Sequence, residues 1–152
     1  LKTLECDNYN VTYLRNLSVS LKDSQLNVNF NLISSLVAGL RVNMDFYSRK
    51  ENINIYHIFY SYSFDACTLM STMRSNLFKR WFASFFAYGN FKPDCPVPPS
   101  HYYIKNYNIK NLDIPTFLFP GYYRFVFNII QNRKKEKRSD SIISCSVEIK
   151  MK

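Results

Sequence analysis

Hydrophobic and polar residues alternate along most of this chain, and one stretch breaks the alternation. Leu26, Val28, Phe30 and Leu32 are interleaved with Asn27, Asn29 and Asn31, a period of two that gives a strand one dry and one wet face. A slip of one residue would bury the three amides, so the register is firmly specified. Leu40, Val42, Met44 and Phe46 repeat the pattern against Arg41, Asn43 and Asp45. Cys6 to Leu21 reads as extended, with a turn at Lys22-Asp-Ser24, and Arg49-Lys-Glu-Asn52 reads as the hairpin turn into a strand over Ile53–Phe64. That strand is apolar on both faces, which predicts a central position or one face against a helix. Strands are also predicted over His101–Asn111, Gly121–Gln131 and Asp140–Met151.

Between Leu69 and Tyr88 the period changes. Met70, Met73, Leu77, Trp81 and Phe85, joined by Phe78, Phe82 and Phe86, recur at helical spacing. Thr68 is the expected N-cap, and Gly89 is the expected left-handed residue past the C-terminus. Asn90 to Ser100 carries Pro93, Pro96, Pro98 and Pro99, which forbid a central strand. Asp113-Ile-Pro-Thr-Phe-Leu-Phe-Pro120 is too apolar for an ordinary loop, and reads as an edge segment or a lip turned toward a ligand. Eight or so short strands with one helix describe a mainly β protein, a sandwich or barrel.

Composition narrows the picture. A chain of 152 residues suits one domain spanning 1–152, and 47% hydrophobic with 17% aromatic residues excludes disorder. No apolar run reaches the roughly 18–20 residues a bilayer-crossing helix needs. Leu1-Lys-Thr-Leu-Glu lacks an initiator Met and a leader pattern, which predicts a mature, secreted, extracellular chain. Cys6, Cys67, Cys95 and Cys145 have no metal-ligand spacing, so two disulfides are expected. Three pairings are possible; Cys6 with Cys145, tying the terminal strands, and Cys67 with Cys95, closing the helical excursion, are preferred. Sequons at Asn10 and Asn16 agree with secretion.

Catalytic chemistry finds little footing. His57 and His101 are the two histidines, and His57 reads as a hydrogen-bonded, half-buried strand residue. There is no nucleophile elbow, metalloprotease pair, phosphate loop or nucleotide fingerprint. A non-enzymatic protein without cofactor or metal is expected. The net charge of +9 favours anionic contacts, but the basic run Arg133–Arg138 lacks interleaved aromatics, which argues against nucleic acid. It reads as a solvated hairpin tip, with a membrane-surface or acidic-partner contact as the sharper alternative. What remains is the inventory of a hydrophobic container. Phe30, Met44, Phe46, Phe59, Trp81, Phe82, Phe85, Phe119, Phe125 and Phe127 are its candidate lining residues. The same residues would equally fill a solid core.

Phe64-Asp-Ala-Cys67, the helix, Asn90 to Cys95-Pro96, and Gly121-Tyr-Tyr123 resemble a large insect family of small secreted proteins of unknown function. That family includes the CheA and CheB gustatory proteins linked to pheromone perception and is similar to the ML lipid-recognition domain. Family members often carry His before Cys-Pro and Tyr after it, where this chain has Asp94 and Val97. The resemblance implies an immunoglobulin-like, ML-like β-sandwich whose sheets part to admit a lipid, hydrocarbon or pheromone. It also supports the preferred disulfide pairing. The resulting expectation is a monomeric chemosensory carrier. The alternative is an extracellular interaction protein with a filled core, acting on a receptor or matrix.

Overall fold

A computed structural model describes residues 3–71, 84–92, 94–109 and 120–151. The fold is mainly β, with two antiparallel sheets. Strands β1 (Thr3–Asp7), β4 (Leu40–Arg49), β5 (His57–Asp65), β7 (Gly121–Arg133) and β8 (Arg138–Met151) form a five-stranded sheet in the order β1-β8-β7-β4-β5. Strands β2 (Leu14–Lys22), β3 (Gln25–Leu32) and β6 (Ser100–Asn108) form the second sheet in the order β2-β3-β6. The short helix α1 covers Ala66–Ser71.

The sheets pack as a sandwich because each contributes one apolar face to a shared core. Tyr13, Leu14, Leu32 and Tyr102 meet Leu40, Phe64, Ile142, Ile143 and Cys145 there, all buried. Along β3 Leu26 and Leu32 are buried, while Val28 and Phe30 are half-buried like Asn27, Asn29 and Asn31 between them, so the expected dry and wet faces are only partly separated; a bulge between Leu26 and Val28 shifts the pairing with β6. The turn after β2 places Asp23 and Ser24 both at positive φ, 53° and 64°, which matches the twist of a two-residue hairpin. Bulges refine the faces. Ile142 is the extra residue between Ile129↔Ile143 and Ile130↔Ser141, so Ile142 and Ile143 are both buried.

Two disulfides, Cys6–Cys145 and Cys67–Cys95, join the chain in the preferred pairing. The first links directly opposed residues of β1 and β8. The second ties α1 to the proline loop, whose Cys95-Pro96 bond is cis. Among the described residues no helix is long and apolar enough to cross a membrane.

Several local expectations are corrected. β5 begins at His57, leaving Ile53–Tyr56 outside it, and lies at an edge of its sheet. Its two-faced apolar pattern comes from a bulge, since Phe46 pairs with Tyr60 and Tyr47 with Ile58, leaving Phe59 as the extra residue. His57 is exposed, an edge position offering it nothing to pack beneath. Thr68 is inside α1, and its backbone N–H donates to the Asp65 carboxylate at 2.8 Å, so Asp65 is the cap. Gly89 has no left-handed φ; it bridges Ile104, and a Cβ there would stand 1.9 Å from the Tyr103 carbonyl oxygen. Close backbone approach, not turn geometry, requires this glycine. Residues 84–86 are helical, while most of the predicted helix and the 113–119 lip lie outside the described residues.

Candidate ligand-binding face

The inner face of the five-stranded sheet changes character along its length. Toward the β7–β8 turn, which we term the tip end, Leu40 pairs with Gln131 and Val42 with Ile129 and Phe64. Toward the other end, Met44 pairs with Phe127 and Tyr62, and Phe46 with Phe125 and Tyr60. Phe46 is therefore surrounded by rings, with centroids 5.1 Å from Phe125, 5.6 Å from Tyr60 and 6.3 Å from Phe59. The bulge brings Phe59 onto this face, 6.1 Å from Tyr123. Tyr60 and Tyr62 stack at 6.4 Å, and Tyr62 continues to Phe64 at 5.6 Å.

Among the described residues this aromatic end is exposed along β5 and closed on its other side, where Tyr123 and its partner Ile149 are buried. Phe59 is 47% and Tyr60 51% exposed, and Phe46 and Phe125 are half-buried, whereas Phe64 on the same β5 strand is 9% exposed. Of the predicted lining residues, the structure brings Phe46, Phe59 and Phe125 together. Met44 and Phe127 occupy the same face closer to the core and pack against it, and Phe30 packs on that core from the opposite sheet, 5.9 Å from Tyr102. Phe85 stacks on the fully buried Tyr107 of β6 at 4.6 Å. Ser84 and Tyr107 share a 2.8 Å hydrogen bond, and Tyr88 meets the same ring edge-on at 5.3 Å. Trp81, Phe82 and Phe119 lie outside the described residues.

Tyr60, Tyr62 and Tyr123 join the face without having been singled out as lining residues. The signal was present in Phe59-Tyr60, adjacent aromatics that a regular strand would send to opposite faces. The face has the chemistry of dispersion and apolar burial with phenol hydroxyls as its polar groups. Its carboxylates and amides are elsewhere: Asn43, Asp45, Ser61 and Ser63 lie on the outer face, where Ser61 donates to Asp45 at 2.7 Å and Ser63 to Asn43 at 2.6 Å. Both histidines are exposed, and no group of His, Cys, Asp and Glu among the described residues could hold a metal ion.

The tip end carries a second set of polar groups. Arg133 Nε donates to the Tyr13 hydroxyl at 2.8 Å, and Tyr13 donates to Asp140 Oδ2 at 2.6 Å. Burial, then the bond to Asp140, pushes the Tyr13 phenol above its ordinary range. The bond from Tyr13, with the charge of Arg138, holds the Asp140 carboxyl below the usual carboxylate range. Gln131, fully buried, accepts from Val37 N at 3.1 Å and donates to the Val37 and Ala38 carbonyls, fastening the loop that crosses from β3 to β4. On the outer face, the Arg49 guanidinium lies 3.8 Å from the Tyr122 ring and Arg124 lies 4.4 Å from that of Tyr56.

Residues 42–125 match the model of a family described as protein of unknown function (DUF1091), a span that takes in most of β4, all of β5, α1 and β6, and the start of β7. No curated protein matches the chain.

Proposed function

The chain belongs to this family of proteins of unknown function, DUF1091, and we propose that it is a secreted, non-enzymatic binding protein for a hydrophobic ligand. The ligand, a lipid, hydrocarbon or pheromone, lies against the aromatic end between two sheets arranged as an immunoglobulin-like, ML-like sandwich. The carrying observation is the partly open aromatic group of Phe46, Phe59, Tyr60 and Phe125 on an inner sheet face. Apolar surface left in water costs roughly 25 cal/mol per Å², so a ligand covering these rings gains what the core at the tip end already has. Two disulfides support residence in an oxidising compartment.

The test is direct. The secreted protein is extracted with organic solvent for mass spectrometry, and the stripped protein is titrated with a fluorescent fatty-acid probe. Saturable binding that weakens in Phe46→Ala and Phe125→Ala is expected. Absence of both extracted lipid and saturable binding would overturn the reading.

A further inference from the structure

We propose that the tip end of the sandwich docks on an anionic lipid membrane. Three loops meet there. Asn10 N donates to Ile142 O at 2.8 Å and its side chain to Ser141 O at 3.1 Å, which seats the 8–13 turn beside the β8 strand. Ile33 N donates to Tyr13 O at 2.7 Å, and Ser34 to Thr12 O at 2.8 Å, which adds the loop after β3. The β7–β8 tip completes the group through the Tyr13, Asp140 and Arg133 hydrogen bonds.

Two kinds of side chain are displayed on this end. Val11 is 63% and Ile33 42% exposed, the first on the 8–13 turn and the second just past β3. Beside them the tip carries exposed Lys134, Lys135 and Lys137. The carboxylates of the β7–β8 hairpin tip are engaged: Glu136 with Arg138 at 3.0 Å, and Asp140 with Arg138 at 3.3 Å and Arg133 at 3.5 Å. Those pairs also occupy the two arginines. A rigid guanidinium fork suits shape-specific recognition of one partner group, whereas lysine is a mobile point charge. Lysines beside exposed aliphatic side chains match a diffuse anionic surface with an apolar layer beneath it. This docking does not rest on the container reading, because a filled sandwich would present the same tip.

The test uses protein made with both disulfides and without glycans, sedimented with vesicles of phosphatidylcholine alone or mixed equally with phosphatidylserine. Binding is expected only to the mixed vesicles. A triple change, Lys134→Gln, Lys135→Gln and Lys137→Asn, is expected to weaken it about a hundredfold, from roughly fivefold per lysine; Asn suits the left-handed φ of 52° at position 137. Lys22→Gln, Lys50→Gln and Lys105→Gln together remove the same charge toward the opposite end and should weaken binding far less. Val11→Ser with Ile33→Ser should cost about tenfold. All these positions are exposed, so unchanged urea midpoints are expected to confirm folding. No binding to mixed vesicles overturns the proposal, and equal losses in the two lysine triples assign the effect to net charge and overturn it too. Undiminished binding of the serine pair, with equal capture on immobilised polyglutamate, points to an acidic protein and also overturns it.

Discussion

On edge strand β5, the two ends of the inner sheet face differ in how far their rings are buried, although Tyr123 on β7 is buried at the aromatic end as well. At the tip end Leu40 is 5% and Phe64 9% exposed, and the core from both sheets closes over them. At the aromatic end Phe59 is 47% exposed, although its side chain has more apolar surface to hide than Leu40. Large rings would be the first to be buried if filling space were their only role. The face thus has a buried part and a part whose β5 rings remain half exposed, the part on which the proposed ligand would rest. The bulge at Phe59 marks the division by adding an extra ring to the open half.

Truncation at the closed end has the largest expected effect. Leu40→Ala and Leu32→Ala should each lose about 2–5 kcal/mol of unfolding free energy in urea titrations. Losses below about 1 kcal/mol would show that the tip end is no better packed than the other. Next in size is Gln131→Ala, which strips the Val37 N–H and two carbonyls of their side-chain partner; about 1–3 kcal/mol is expected from the same titrations. A result near zero would mean that the β3–β4 loop is held without it.

The Tyr13 and Asp140 pair adds a pH dependence confined to the tip end. The folded carboxyl of Asp140 lies below its unfolded value, so its contribution is present above about pH 4 and lost as pH falls through the folded pKa. Tyr13 is raised, so its contribution is complete below about pH 10 and lost as pH rises through the folded pKa. Asp140→Asn should therefore flatten the acid side of the stability profile, and Tyr13→Phe the alkaline side. Profiles that coincide with that of the unchanged protein would remove this network from the account. The smallest effect belongs to the open end. Phe59→Ala should change stability by less than about 1 kcal/mol while weakening fatty-probe binding several-fold, separating a contact role from a packing role. A large stability loss with unchanged probe affinity would reverse the assignment.

Strand existence was readable because a half-buried strand writes its two faces into consecutive residues, as Leu26 to Leu32 does. The candidate site was readable only in part. Phe46, Phe125 and Phe127 could be placed on a face, but a pattern gives a face and not a neighbour, so Tyr60 and Tyr123 went unassigned. Of the two readings of β5, the central position failed for the same reason, since a bulge and a two-faced buried strand leave the same mark on the chain; the other, one face against the helix, involves residues outside the described ones.

The mainly β class, the existence of the clearest strands and the basic hairpin tip were legible in the amino-acid order alone, which also favoured, among three possible pairings, the disulfides that the structure contains. These follow from short-range periodicity, turn chemistry and cysteine position. The folded structure settles instead that Asp65 caps α1, that Gly89 is required by the Tyr103 carbonyl, and that Tyr13 joins Arg133 and Asp140 from more than a hundred residues away. It also decided which end of the inner face is closed. Those outcomes depend on which surfaces meet after the chain has crossed between sheets, and residues distant along the chain leave no shared local pattern to read.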